Sequence, residues 1–256
     1  MKKISSYQIL TLLATALTLT VNALANTLPI NGQTTGEISD RFAIYFVPAG
    51  YVFSIWGLIY LGLIAYALYQ ILPAQRENSL LKEIAPVYWL GSLANAAWIL
   101  LWHYEYFPLT LIAMLILLAT LLYIYLQISK ARMSLDRSQK WFLQLPFSIY
   151  LGWISVATIA NVSQVLFDAD WNAWGISAAA WAAIMLGVAA FLGLMMQLRE
   201  NDSAYVLVLV WAFIGIAIKH ADTHLVAYSA WVFTAILALA VIVGVFRKRG
   251  LILKGV

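Results

Sequence analysis

The chain contains no cysteine, which excludes disulfides, thiolate metal centres and cysteine nucleophiles. Charge is scarce as well: Asp, Glu, Lys and Arg make up 10% of its 256 residues, against about 25% in typical soluble domains. No charged residue stands in the middle of an apolar run, so the buried charges that mark proton relays and ion-coupled pumps are missing. A glycine-rich phosphate loop is also absent, and the loops between apolar runs are too short to form a nucleotide-binding domain. Basic clusters sit only at the ends of runs, where membrane topology accounts for them without nucleic acid. No internal repeat is visible.

What remains is apolar. Hydrophobic residues make up 64% of the chain and the mean hydropathy is +0.86. Eight apolar segments can be marked, at 4–25, 48–72, 84–102, 108–128, 141–167, 174–198, 204–218 and 225–246. Most reach the roughly 20 residues that a bilayer core of about 30 Å requires, and the seventh is short. The expectation is an all-α polytopic membrane bundle of eight transmembrane helices. With the N-terminus inside, Lys2, Lys3, Arg76, Lys82, Lys130, Arg132, Arg137, Lys140, Arg199, Arg247, Lys248, Arg249 and Lys254 all fall on the inner side, and only Arg41 and Lys219 fall outside. That asymmetry predicts a plasma (inner) membrane protein with both termini cytoplasmic. The first segment has a competing reading, because Lys2-Lys3, an apolar run and Ala23-Leu24-Ala25 follow the order of a cleavable secretory signal.

Polar and aromatic residues interrupt these segments at helical spacing. In "LPFSIYLGWISVATIAN" (145–161), Pro146, Tyr150, Trp153, Ala157 and Asn161 fall at offsets of 0, 4, 7, 11 and 15 and share one helix face. Lipid does not favour a phenol, an indole N–H and a carboxamide there, since polar groups left unpaired in hydrocarbon are costly. Phe53, Trp56 and Tyr60 repeat the pattern in the second segment, and Asn95, Trp98 and Trp102 in the third. At a rise of about 1.5 Å per residue, Trp56 and Asn95 lie roughly 10–12 Å below the outer ends of their helices. The three stripes are expected to converge in the outer half of the bilayer.

Above them runs the one long connection, 26–47, whose first half is rich in turn residues (Pro29, Asn31-Gly32, Gly36) and whose second half is aromatic. It reads as a lid carrying Tyr45, Phe46 and Pro48, or as an ordinary solvated crossover. A cavity walled by indoles, phenols and carboxamides suits a large flat ligand such as a tetrapyrrole, a sterol-like molecule or a carotenoid fragment. The alternative is plain packing, with tryptophans as interfacial belts and asparagines tying helices together. Trp141, Trp171 and Trp174, at segment ends, fit a belt. Ala179, Ala183 and Gly187 form a small-residue stripe suited to close helix packing.

Two further clusters carry polar chemistry. His220, Asp222 and His224, with Lys219 beside them, read as a solvated hairpin rather than a metal site. Asp168 and Asp170 read as caps of the following helix, with no oriented partner for acid–base work. No catalytic residue, metal or cofactor is expected.

The fifth segment resembles the Pro-Tyr-Leu-x-Trp-x-x-x-Ala-x-x-x-Asn signature of the tryptophan-rich sensory protein (TspO/MBR) family, with Phe147 beside Pro146 and with Tyr150 and Trp153 in register. "FVPAGYVFSIWGLIYLG" is similar to the family's second-helix segment through Pro48, Phe53, Trp56 and Tyr60, with Ala49 where a second proline is usual. Asn95 and Trp98 match its Asn-x-x-Trp. The resemblance covers about 1–167. It implies a five-helix ligand-binding bundle in residues 1–170, followed by three additional helices in 171–256. It also implies porphyrin binding, sterol binding or light-dependent porphyrin breakdown in some members, and a homodimer. The expected function is a membrane receptor or sensor whose pocket is lined by Phe53, Trp56, Tyr60, Asn95, Trp98, Tyr150, Trp153, Ala157 and Asn161. The alternatives are a small-molecule exporter or facilitator, and an assembly factor without a small ligand.

Overall fold

A computed structural model describes residues 4–28 and 30–253, with side chains as far as 246. Pro29, Lys2, Lys3 and Lys254, and the side chains of Arg247, Lys248 and Arg249, lie outside the described residues. Eight long helices follow one another: α1 (Ser6–Thr27), α2 (Gly50–Gln70, opening with a 3-10 turn), α3 (Ser79–His103), α4 (Phe107–Lys130), α5 (Arg137–Asp168), α6 (Ala178–Glu200), α7 (Ser203–Lys219) and α8 (from His224). Seven are long and apolar enough to cross a membrane, and α7 is the shorter apolar helix. All described regular structure is helical.

Local chemistry fixes the ends. Ser5 and Gln8 form a capping box at the start of α1, and Asn78 accepts from Leu81 N–H at the start of α3. Pro108 occupies the first turn of α4, where its missing N–H costs nothing. α5 carries a π-turn at Lys140–Gln144, one extra residue that leaves Trp141 and Phe142 exposed while Leu143 is buried. The start of α6 differs from the sequence reading. Ala173–Gly175 form a 3-10 turn before the helix, and the caps are Asn172 and Ser177 rather than Asp168 and Asp170. Asp168 is the last residue of α5, where a carboxylate faces the wrong end of the helix dipole, and Asp170 occupies a left-handed turn at φ 50°.

α1, α3, α4, α5 and α2 pack in a closed ring, and α6, α7 and α8 form a three-helix group that joins the ring through α7 on α5. The joint is tight at Gly152, where a Cβ would lie 3.0 Å from Tyr205 O. It is pinned at one end by Ser148 Oγ donating to Asp202 (2.5 Å) and further along by Tyr205 OH donating to Ser155 Oγ (3.0 Å). Asp202 is buried, but it accepts from Ala204 and Tyr205 N–H as the cap of α7, so its charge is satisfied at the helix N-terminus. In the small-residue stripe, Gly187 packs against Phe233 of α8.

One helix is tied in by polar groups. Gln8, Thr11, Thr15, Thr18 and Asn22 of α1 are all buried. Gln8 and Gln70 exchange amide-to-carbonyl bonds (2.6 and 3.0 Å), Trp89 Nε1 donates to Thr11, Thr15 meets Tyr88 OH (2.7 Å), and Asn22 Nδ2 donates to Asn95 Oδ1 (2.6 Å). Beneath the site, Tyr66, Tyr88 and Phe147 form an edge-to-face cluster with centroids 5.0–5.9 Å apart.

Candidate functional site

The three stripes meet. Trp153 of α5 has its ring 5.7 Å from Phe53 and 6.2 Å from Trp56, while Trp56 stacks on Tyr60 at 5.6 Å and meets Tyr150 at 6.0 Å. Asn95 Nδ2 donates to Tyr150 OH (3.1 Å), and Trp98 Nε1 donates to Asn161 Oδ1 (3.2 Å). Asn161 in turn donates to Thr110 Oγ1 (2.9 Å), so its carboxamide is held by α3 and α4 together.

These residues do not all reach the same space. A cavity of ≈ 70 Å³ lies under the lid, lined by Phe53, Trp98, Trp153, Ala157 and Asn161, with Trp102 and Gln164 added. Trp56, Tyr60, Asn95 and Tyr150 form the layer below it and fix the orientation of Trp153 and of the helices around it. Of the lid residues, Pro48 lines this cavity, while Tyr45 and Phe46 face a second cavity on the far side of α5. Two of the residues that line it carry buried donors without partners: Trp153 Nε1 and Gln164 Nε2. Buried polar groups are normally paired, and an orphan costs about 1–3 kcal/mol. A cavity of this size holds at most a few waters.

The connection 26–47 is ordered by two clasps. The first is on the C-terminal end of α3, where the fully buried His103 donates from Nδ1 to Ile30 O and shares a hydrogen bond between Nε2 and Thr35 Oγ1 (both 3.0 Å). Trp102 Nε1 donates to Thr35 O (3.2 Å), and Arg41 pairs with Glu105 (2.9 Å). Between Thr35 and Asp40 the connection forms a short helix capped by Thr34 and Glu37. The second clasp comes from α7. Ala49 N–H donates to Gly215 O (3.2 Å), Trp211 Nε1 donates to Val52 O (3.0 Å), His220 bonds Val47 O (3.3 Å) and Lys219 pairs with Asp40 (2.8 Å). Gly215 allows this contact, since a Cβ there would collide with Val52.

The solvated-hairpin reading of His220 therefore gives way to a structural one: its ring is half-buried, bonded to the lid and packed on Tyr45 at 5.2 Å. Burial, and then the neighbouring Lys219, hold its pKa below the ordinary value, while the Val47 carbonyl opposes them. His224 points elsewhere, stacked on Tyr228. Among the described residues, no three His, Asp or Glu side chains gather as a metal site requires. Sequence spacing did not single out Gln164, one turn beyond Asn161, or the α7 residues Trp211 and Gly215; only Gln164 had a legible signal, as the next step of the α5 stripe.

No curated protein and no solved structure matches the chain. The model of the TSPO-like protein family matches residues 8–243, from the first turn of α1 into α8, and with its bundle of apolar helices the chain is a multi-pass membrane protein that belongs to this family.

Proposed function

We propose that the protein is a membrane receptor that binds a flat, largely apolar ligand of the tetrapyrrole class under the lid, between α2, α3 and α5. The observation that carries this reading is the pair of partnerless buried donors, Trp153 Nε1 and Gln164 Nε2, on two residues that line an aromatic cavity closed by a clasped loop. Indole faces stack on planar π-systems, and the two donors supply hydrogen bonds to acceptor atoms at a ligand's edge. Family membership supports a sensor or binding role. The ≈ 70 Å³ cavity is the closed form, and the lid must lift, with Trp98 and Trp153 parting, to admit a macrocycle. The charge asymmetry supports a plasma-membrane setting with cytoplasmic termini and an outward lid.

The test is a titration of the purified protein with protoporphyrin, haem and a sterol, following tryptophan quenching. The expected result is saturable quenching by a tetrapyrrole that weakens at least about tenfold in Trp153→Phe and Gln164→Leu, the loss of roughly 1.4 kcal/mol for each hydrogen bond. Unsaturable quenching, identical in both variants, would show partition into detergent and defeat the reading.

A further inference from the structure

On the other side of α5 lies a larger cavity, of ≈ 430 Å³, within the roughly 300–1,000 Å³ typical of small-molecule sites. Val162 and Leu166 of α5 form one wall, and Ala178, Trp181 and Met185 of α6 form the other. Lid residues 43–46 close one end. The space exists because α6 packs along α8 and α7 and barely meets α5.

Its shape and chemistry are specific. The α5 residues that line it run from 158 to 167, about 14 Å along the helix axis, so the cavity follows α5 for two and a half turns. No Asp, Glu, Lys, Arg or His lines the walls. Two hydroxyls and one of the two indoles are already committed: Thr158 and Ser163 donate to carbonyls one turn back (2.7 and 2.8 Å), and Trp181 Nε1 donates to Ala173 O (3.0 Å). Tyr45 and Trp171 stand at the lid-side end, so the walls along α5 select for length and apolarity. At the lid-side end, Trp171, Trp174 and Trp181 cluster with centroids 5.3–5.7 Å apart, the residue type that marks the membrane–water boundary. A chain lying along α5 would place its polar end there.

We propose that this wedge is a second ligand site, which takes one aliphatic chain from the surrounding leaflet and whose outer wall is supplied by α6. It is continuous with the lid, because Ile44 lines both this cavity and the closed one. The chain belongs either to a bilayer phospholipid or to a free single-chain amphiphile such as a fatty acid. The proposal stands independently of what binds under the lid.

The experiment uses the full protein reconstituted in phosphatidylcholine vesicles, with a mid-chain diazirine carried in one arm by the phospholipid and in the other by a free fatty acid. After photolysis, adducts are mapped on peptides. In at least one arm, labelling of 158–167 and 178–185 is expected to exceed that of the lipid-exposed face of α4, at Leu109, Ile112 and Ile116, by about tenfold. Ala178→Trp and, separately, Ser163→Phe fill the wedge and should each remove that excess, while Ala157→Trp, on the wall of the closed cavity, should leave it unchanged. The arm that labels identifies the source of the chain. Labelling no greater than on α4, or insensitive to both fillers in protein that keeps its unfolding transition, would overturn the proposal. Labelling lost only in Ala157→Trp would also overturn it, while leaving the site under the lid intact.

Discussion

Replacing Gly215 by alanine should unlatch the lid. The added methyl would overlap Val52 Cγ2 and lie 3.1 Å from Pro48 Cβ. Val52 is fully buried and β-branched, so its side chain cannot swing aside. Overpacking of this kind costs about 1–3 kcal/mol. Parting α7 from the lid also breaks the Ala49 N–H to Gly215 O bond, worth about 1 kcal/mol. The closed state should therefore lose about 2–4 kcal/mol, raising the lid-open population roughly 30- to 700-fold. Amide hydrogen exchange reads this directly, since peptides covering 44–54 should exchange faster by that factor while α7 itself, 203–219, stays protected. Val52→Ala in the same background removes the colliding methyl and should restore much of the protection. Wild-type exchange in Gly215→Ala, failure of Val52→Ala to restore protection, or equal deprotection of α7 would each refute the idea that this contact holds the lid down.

Further outcomes follow from the same geometry. His220 binds fewer protons folded than unfolded, because its folded pKa lies below the ordinary 6.5. Its contribution is intact above pH 6.5 and declines as the pH falls below that value, so the protection factors of 44–52, taken relative to intrinsic exchange at each pH, should fall on acidification and lose that dependence in His220→Gln. Gln164→Leu removes the orphaned Nε2 donor together with the long contact from Asn161 Nδ2 to Gln164 Oε1 (3.4 Å) and should leave stability within about 1 kcal/mol of the wild type, in contrast to its expected loss of ligand affinity. Asn22→Leu leaves Asn95 Oδ1 without its donor and should cost about 1–2 kcal/mol; in a denaturation series, Asn22→Leu/Asn95→Leu should cost less than the sum of the single variants.

Helix number and the convergence of α2, α3 and α5 were legible because both are periodic signals: run length for the spans, and offsets of three and four for Tyr150, Trp153 and Asn161. The short seventh segment was legible for the same reason. The second clasp was not, because Trp211 and Val52 are separated by 159 positions and no local pattern says which loop a distant glycine receives. Cavity size was equally hidden: aromatic stripes announce a meeting point, but whether rings leave room depends on rotamers and on the lid. The α1 stripe is a different case. Gln8, Thr11, Thr15, Thr18 and Asn22 fall at offsets of 0, 3, 7, 10 and 14, as regular as the stripe of α5. The same segment carries the signal-like order of Lys2-Lys3 and Ala23-Leu24-Ala25 at its ends, a pattern that concerns cleavage and is silent on the helix face.

That stripe bears on how the chain is made. α1 is synthesised before α2 and α3, yet its buried amides and hydroxyls find partners there, in Gln70 on α2 and Tyr88, Trp89 and Asn95 on α3. Until those helices arrive, Thr11, Thr15 and Asn22 bond only carbonyls one turn back within α1, and the Gln8 side-chain amide lacks the Gln70 carbonyl it meets in the folded chain. α1 is long and apolar enough to span alone, but its polar face is completed only when α3 is in place. The smallest unit that settles in the membrane with these groups paired is the trio α1–α2–α3, so two of the three walls of the site are assembled before α5 exists.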